Sequence, residues 1–410
     1  MATTVTKVVD PNEGTGWDYH SLSDWEVAQQ GDLTGVRNEI AVAKCRCTGG
    51  TADTTKVFIS GWITSSTQYI KVWTDPTESY RHNGTYQTGN KYRLELTSDG
   101  TDGGLTFDEP HTQIIGLQLQ YTVSASNAWG IYALNISVET GTVTIAKNVI
   151  KGVVSGTPDN VRGICAEWAT ACSFFVYDNI VYDFKSGATT NIVGIRQAGT
   201  YSTNTSYFYN NTMQNCYTGF SNGNGNAKAL NNLVRSCTVA AAGTFIAGSG
   251  YNVTDLASMG YTVTGGATGD RLSKSFTFAN EGADDFHLVA ADTDSIGYAL
   301  NLYDDAVYPF QDDIDGQDRG GAAAAWDIGA DEYVSSATLD QEGFRARNDD
   351  GNEADATFAA VENAPLTAPE GTMRFRFQLN NTGDPAAITP QFDWELKPSG
   401  GAWGTKRKIR

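Results

Sequence analysis

Few residues of this chain are typed and spaced for chemistry. In its most regular stretch Glu167, Asp178 and Asp183 share a neighbourhood with Arg162 and Arg196. Hydrolysis of a glycan needs two or three carboxylates held against one bond, and elimination needs acids around Ca²⁺ with an arginine as base. No two of these acids recur at one position of consecutive repeats, so they read as solvated acids and no catalytic residue is assigned. Further on, Asp313, Asp315 and Asp318 place oxygens at positions 1, 3 and 6 around Gly316. That is half of a calcium loop, without its terminal bidentate Glu, and the expectation is a structural turn with no metal and no cofactor. His20, His82, His111 and His287 are far apart with no nucleophile motif beside them, which leaves Ser-His-Asp and Cys-His catalysis without support. Tyr201, Tyr207 and Tyr217 could stack on sugars or serve as edge and core residues.

The elements that would position these groups announce themselves by repetition. Lys147-Asn148-Val-Ile, Asp178-Asn179-Ile-Val, Asn210-Asn211-Thr-Met and Asn231-Asn232-Leu-Val superimpose, with marker asparagines 31, 32 and 21 residues apart. A repeat of this length is a solenoid coil that cannot bury its apolar face alone. Three residues before the markers stand Ile145, Val176, Phe208 and Ala229; two after them stand Ile150, Val181, Met213 and Val234. Both sets point inward, and the odd step of three requires a bend at the marker. Asn suits such a bend because it tolerates the left-handed conformation, and its amide can bond to the next Asn, which makes Asn148, Asn179, Asn211 and Asn232 an internal ladder. Trp129-Gly, Arg162-Gly163, Val193-Gly194 and Thr218-Gly219 keep step with it, and Ile114-Ile-Gly-Leu-Gln-Leu anchors an upstream coil in which Gln118 breaks the apolar match.

Cys216 and Cys237 each lie five residues after a marker, so they are expected to stack as free, buried thiols in one ladder with Val153 and Phe184. No Cys or His spacing among the six cysteines suits zinc. The net charge of −19 speaks against nucleic acid, the one basic cluster being Lys406-Arg407-Lys408-Ile409-Arg410. No apolar run is long enough for a bilayer and no Sec signal opens the sequence, so a membrane is not expected. The sequons Asn135-Ile-Ser and Asn252-Val-Thr are expected by chance in so Asn- and Thr-rich a chain.

The chain divides into three parts. Residues 1–40 form a cap, with a short helix from Ser21 that uses Leu22, Trp25 and Val27 as its apolar side. Residues 41–334 carry the coils, and strands at Glu39–Cys45, Lys56–Ile63, Tyr69–Trp73 and Tyr92–Leu96 are read as the first, irregular ones. Residues 335–410 alternate as Gly343-Phe-Arg-Ala-Arg, Thr372-Met-Arg-Phe-Arg-Phe and Gln391-Phe-Asp-Trp-Glu, which suits a small antiparallel β-sandwich.

The order Asp285-Phe-His-Leu288, Ile314-Asp-Gly-Gln-Asp-Arg319 and Trp326-Asp-Ile-Gly-Ala-Asp-Glu-Tyr333 resembles the closing segment of right-handed parallel β-helix proteins of the pectate-lyase-like superfamily. The resemblance covers roughly 110–334 and implies an all-β fold; that superfamily hosts lyases, hydrolases, adhesins and phage tailspikes, so it implies little about activity. Asp18-Tyr-His-Ser-Leu-Ser-Asp-Trp-Glu26 and the Asn-Asp-Asp-Gly and Arg-Phe-Arg-Phe phrases of the last segment resemble modules of virion-associated proteins from marine and environmental phages. The expectation is a non-enzymatic phage structural protein, a capsid decoration or a tail fibre or spike. It would be a homotrimer touching other virion proteins and a host-surface glycan. The rival readings are a polysaccharide lyase or glycosidase and a bacterial surface adhesin.

Overall fold

The computed structural model describes residues 2–334 except 99, 101–102, 135, 137–140, 168–171, 188, 199–204 and 224–225, together with 339–348, 373–381, 393–394 and 407–408. The chain divides into two units, Met1–Tyr333 and Val334–Arg410. The first is a parallel β-helix. Its strands fall into three parallel sheets of eight, seven and eight strands among the described residues. One coil shows the path: Gly141–Ala146 lies in the first sheet, Val149–Val154 in the second and Val161–Glu167 in the third. The next coil then begins at Cys172–Tyr177, in register over Gly141–Ala146. The cap region contributes a strand of its own, because Thr3–Val9 pairs in parallel with Glu39–Cys45 at the edge of the first sheet.

The inward ladders are filled as their periodicity requires. Ile145, Val176, Phe208, Ala229, Ile150, Val181, Met213 and Val234 are all 1% exposed or less. Burying the larger of these side chains is worth about 1.5–3 kcal/mol each. The glycine column of the third sheet has a different cause. A Cβ on Gly130, Gly163, Gly194 or Gly219 would stand 2.5–2.7 Å from the carbonyl oxygen of the next coil, so no side chain fits there.

Between the first and second sheets the backbone turns too sharply for sheet pairing, and the asparagines take over. Asn179 Oδ1 accepts both the backbone N–H and an Nδ2–H of Asn148, at 3.0 and 2.9 Å. Asn211 does the same for Asn179, Asn232 for Asn211 and Asn252 for Asn232. The second Nδ2 hydrogen of each goes to an inward-ladder carbonyl one coil back, as from Asn211 to Val176 at 2.8 Å. Each amide therefore uses both donors, and from Asn179 onward each also accepts twice, which satisfies a buried polar group.

The left-handed residue is not the marker. It is the residue before it, with φ of 57° at Lys147, 51° at Asp178, 49° at Asn210 and 58° at Asn231. Asn is selected at the marker for its amide and not for its backbone freedom. The ladder also runs further than the repeat suggested, through Asn252 to Asp270, as the coils shorten from 31 and 32 residues to 21, 20 and 18. Asp270 ends it chemically. Its Oδ1 accepts from Asn252, its Oδ2 accepts from the Tyr261 hydroxyl at 2.7 Å, and a carboxylate has no donor left to satisfy.

Three expectations are corrected. Val153 does not join Phe184, Cys216 and Cys237; it is 39% exposed while those three are buried. In the coils that follow, the left-handed residues Asp183, Asn215 and Ser236 swing the next side chain inward, whereas Val149–Val154 runs straight on and alternation carries Val153 out. In the helix, Leu22–Gln29, Ser21 caps as expected, but Val27 is 71% exposed and Glu26 is buried in its stead. The expected strand Lys56–Ile63 is shorter, at Val57–Ile59.

All six cysteines are buried, and the Cys216 N–H donates to Cys237 Sγ at 3.4 Å. In the second unit Leu339–Asn348 pairs antiparallel with Met373–Asn381, and Asp393–Trp394 with Arg407–Lys408. Lys406, Ile409 and Arg410 of the basic cluster lie outside the described residues.

The ladder makes a sharp forecast. Asn211→Ala orphans the N–H groups of Asn179 and the Val176 carbonyl at once, and at about 1–3 kcal/mol per buried orphan it should cost about 3 kcal/mol or more in denaturant unfolding. Asp270→Asn, at the end of the ladder, should cost less than about 1 kcal/mol.

Candidate functional site

The marker dipeptides use both of their residues. While the second side chain points in, the first points out, forming a corner column of Lys147, Asp178, Asn210 and Asn231, three of them 0% exposed and Lys147 5%. The cover over that column is the segment 276–333. Instead of capping the end of the helix, it runs back along the outside of the coils. Phe276, Phe278, Phe286, Leu288, Ile314 and Ile328 pack on the outward side chains of the second sheet, including Val149, Ile180 and Leu233. Leu302, Phe310 and Trp326 cover Ala146, Phe175, Tyr177, Tyr209 and Leu230 of the first.

The column recognises this strap residue by residue. Asn231 exchanges two hydrogen bonds with the backbone of Leu300, both at 2.8 Å. Thr212 Oγ1 accepts from the Ala330 N–H at 3.0 Å, and Lys147 pairs with Asp312. At the centre, Arg319 is buried and donates to Asp178 Oδ1 at 2.9 Å, to Glu332 Oε2 at 3.0 Å and to the carbonyls of Gly329 and Ala330. Burial pushes Asp178 up to about 7 and Glu332 up to about 8, each against the pull of Arg319. Arg319 itself is held above its ordinary value by Asp178 and Glu332 in spite of burial. Asp178 is thus a buried structural ion, not the solvated acid expected from sequence.

Beside this triad lies a second cluster. One carboxylate oxygen from each of Asp313, Asp315 and Asp331 falls within 4.8 Å of the others, the one such group of potential metal ligands among the described residues. Asp318, expected as the third member, is exposed and accepts from the Gly320 N–H; Asp331 takes its place. Asp313 Oδ1 accepts from the N–H groups of Asp315, Gly316 and Gln317 at 2.7–3.2 Å, and its Oδ2 from the Glu332 N–H at 3.0 Å. Its first work is therefore to fold the turn. Burial and the neighbouring Asp315 push Asp313 up to about 9, and burial pushes Asp331 up to about 6.

His287 supplies the counter-charge. Its Nδ1 lies 2.5 Å from Asp285 Oδ1, and its Nε2 stands 3.6 Å from Asp315 and 4.0 Å from Asp331. Burial works to lower it, but Asp315, Asp331 and Asp285 prevail and push it up to about 10. The oxygens of Asp313, Asp315 and Asp331 are the set that could hold a hard divalent cation, with the imidazolium already standing where charge is needed. His82 meets the same region from the other side of Gly84. It is buried and pushed down to about 3, accepts from the Gly84 N–H at its Nδ1, and so donates from Nε2 to the Lys147 carbonyl at 2.9 Å. Two histidines 205 positions apart in sequence thus flank one loop, which no sequence pattern signalled.

Of the remaining sequence candidates, Arg162 and Arg196 meet at Asn191 Oδ1. Arg162 is buried and donates to the Asn191 and Val161 carbonyls and to the side chains of Asn160 and Asn191. Arg196 bonds to Asn191 Oδ1 at 3.3 Å, and Asp183 accepts from Asn215 at 2.8 Å. The side chain of Glu167, and Tyr201 and Asn135, lie outside the described residues. His20 is exposed beside Glu13, and His111 is a left-handed turn residue. Tyr207 is stacked on Phe175 with ring centroids 4.9 Å apart and an interplanar angle of 4°, so that face is closed to a sugar; Tyr217 packs against the core.

No protein-family model matches this chain, and no curated protein matches it. No helix among the described residues is long and apolar enough to cross a membrane.

Removing one partner of a buried ion group costs more than the group contributes. Arg319→Met should therefore lower stability by about 3–5 kcal/mol, and adding Asp178→Asn and Glu332→Gln to that variant should restore most of the loss in urea unfolding.

Proposed function

We propose that this chain is a non-catalytic structural component of a phage particle, a rigid β-helical element on the virion surface as a capsid decoration or a tail fibre or spike. One observation carries the reading: outside the Asp313, Asp315 and Asp331 cluster, the fully buried carboxylates described are bonded to the scaffold itself. Asp10, Asp53, Asp292 and Asp327 accept backbone N–H groups of turns and caps, and Asp178 and Glu332 hold the strap through Arg319. Hydrolysis or elimination needs acids free to exchange protons with a substrate or to hold a cation against it. The ladder and strap, by contrast, suit a rod whose resistance to proteases and heat is set by a high unfolding barrier.

The likeness of the closing segment to pectate-lyase-like β-helix proteins, and of the two end phrases to phage virion modules, supports the same reading. Within it, the rod assembles as a homotrimer, contacts other virion proteins and meets a glycan of the host surface. Mass spectrometry of purified particles from the phage that encodes the chain should find it in stoichiometric amounts, and incubation with capsular polysaccharides should release no new reducing ends. Absence from the particles, or release of oligosaccharides, would overturn the proposal.

A further inference from the structure

The cap of the β-helix contains a clamp of its own. The loop Ser60–Trp62 is gripped from two sides by carboxylates of separate elements. Glu26, on the helix Leu22–Gln29, accepts from the Ser60 N–H at 3.1 Å and from the Trp62 indole N–H at 2.8 Å. Glu109, just beyond the strand Gly103–Phe107, accepts from the Trp62 backbone N–H at 2.7 Å. Trp62 stacks on Trp25 of the helix at 5.4 Å, and Gly61 between the gripped residues is left-handed, with φ of 75°. Glu26 is 5% exposed and Glu109 8%.

The charges around this clamp do not balance. Asp108 is a third carboxylate beside the two, and its Oδ1 is buried without a hydrogen-bond partner. The facing cation is Arg37, whose guanidinium lies 5.8 Å from the Trp62 ring but is already given to Glu39 and to the Gln29 carbonyl. Asp32, which pairs with the far end of the loop at Ile63, is occupied by its own turn at Thr34 and Gly35. Neither Glu26 nor Glu109 has an ion pair among the described residues.

We propose that this clamp is a proton-operated latch on the N-terminal cap, closed while Glu26 and Glu109 retain protons and loosened when both ionise against each other and Asp108. Releasing the protons to water leaves two buried like charges with no free cation among the described residues, and Gly61 gives the loop a way to move apart. Burial is the largest influence on both groups and pushes each up to about 7, with Asp108 adding to it. Both values lie above the ordinary 4.5 of a glutamate, so the stabilisation is complete below that value and is lost as pH rises through about 7. The cap is tightest in mild acid and loosens above neutrality.

Hydrogen exchange on the full chain, corrected for intrinsic rates, tests this at about pH 6 and about pH 8.5. Protection of amides in 21–33 and 60–66 should fall about tenfold or more over that range, while the coils around Asn179 keep theirs. Glu109→Gln keeps the acceptor for Trp62 and cannot ionise, so it should flatten the pH dependence, and Glu26→Gln with Glu109→Gln should abolish it. Wild-type protection that does not change with pH, or an undiminished fall in Glu109→Gln, would overturn the latch. The single variant decides the matter even if the double variant fails to fold.

Discussion

A coil of a β-helix must turn corners, and at each corner the backbone leaves the sheets that would otherwise satisfy its N–H and C=O groups. At the corner between the first and second sheets the solution is an asparagine amide, which mimics a peptide unit and stacks at the spacing of the strands. The Oδ1 of each rung takes the backbone and side-chain N–H of its neighbour, as Asn211 does for Asn179 at 3.1 and 3.0 Å. Without that column the corner would bury unpaired donors, at about 1–3 kcal/mol each, in every coil it serves.

The rest of the first unit is arranged around this corner. The left-handed residue before each rung turns its own side chain outward, and those side chains receive the strap through Lys147, Asp178, Asn210 and Asn231. One dipeptide thus holds coil to coil with its second residue and coil to strap with its first. The acids that sequence alone sets out as chemistry are drawn into the same frame. Asp178 is neutralised by Arg319, Asp313 folds a turn, and the charge of Asp315 and Asp331 is met by His287.

What could be read from sequence was what repeats at constant chemistry. The rungs Asn148, Asn179, Asn211 and Asn232, both inward ladders and the glycine column share residue type and near-constant spacing, so they declare themselves. Asn252 and Asp270 escape notice because the coils shorten to 20 and 18 residues and the last rung changes from amide to carboxylate. Val153 leaves the ladder that spacing alone suggests because Val149–Val154 continues as one strand where the later coils bend at Asp183, Asn215 and Ser236. The strap's central contact, Arg319 with Asp178, spans 141 positions and carries no period, and the replacement of Asp318 by Asp331 depends on how the chain returns to its own turn. The outward face of a solenoid is where such unperiodic contacts collect, so the site was less legible than the scaffold.

The central claim is that the asparagine column is the structural axis of the first unit, and the exchange of its own hydrogens tests it most directly. If the claim holds, the backbone and side-chain amide protons of Asn148, Asn179, Asn211 and Asn232 exchange only through global unfolding, with the same free energy as the most protected strand amides of the first sheet. Exchange of these protons by local opening, while the flanking strands Gly141–Ala146 and Cys172–Tyr177 stay protected, would contradict it.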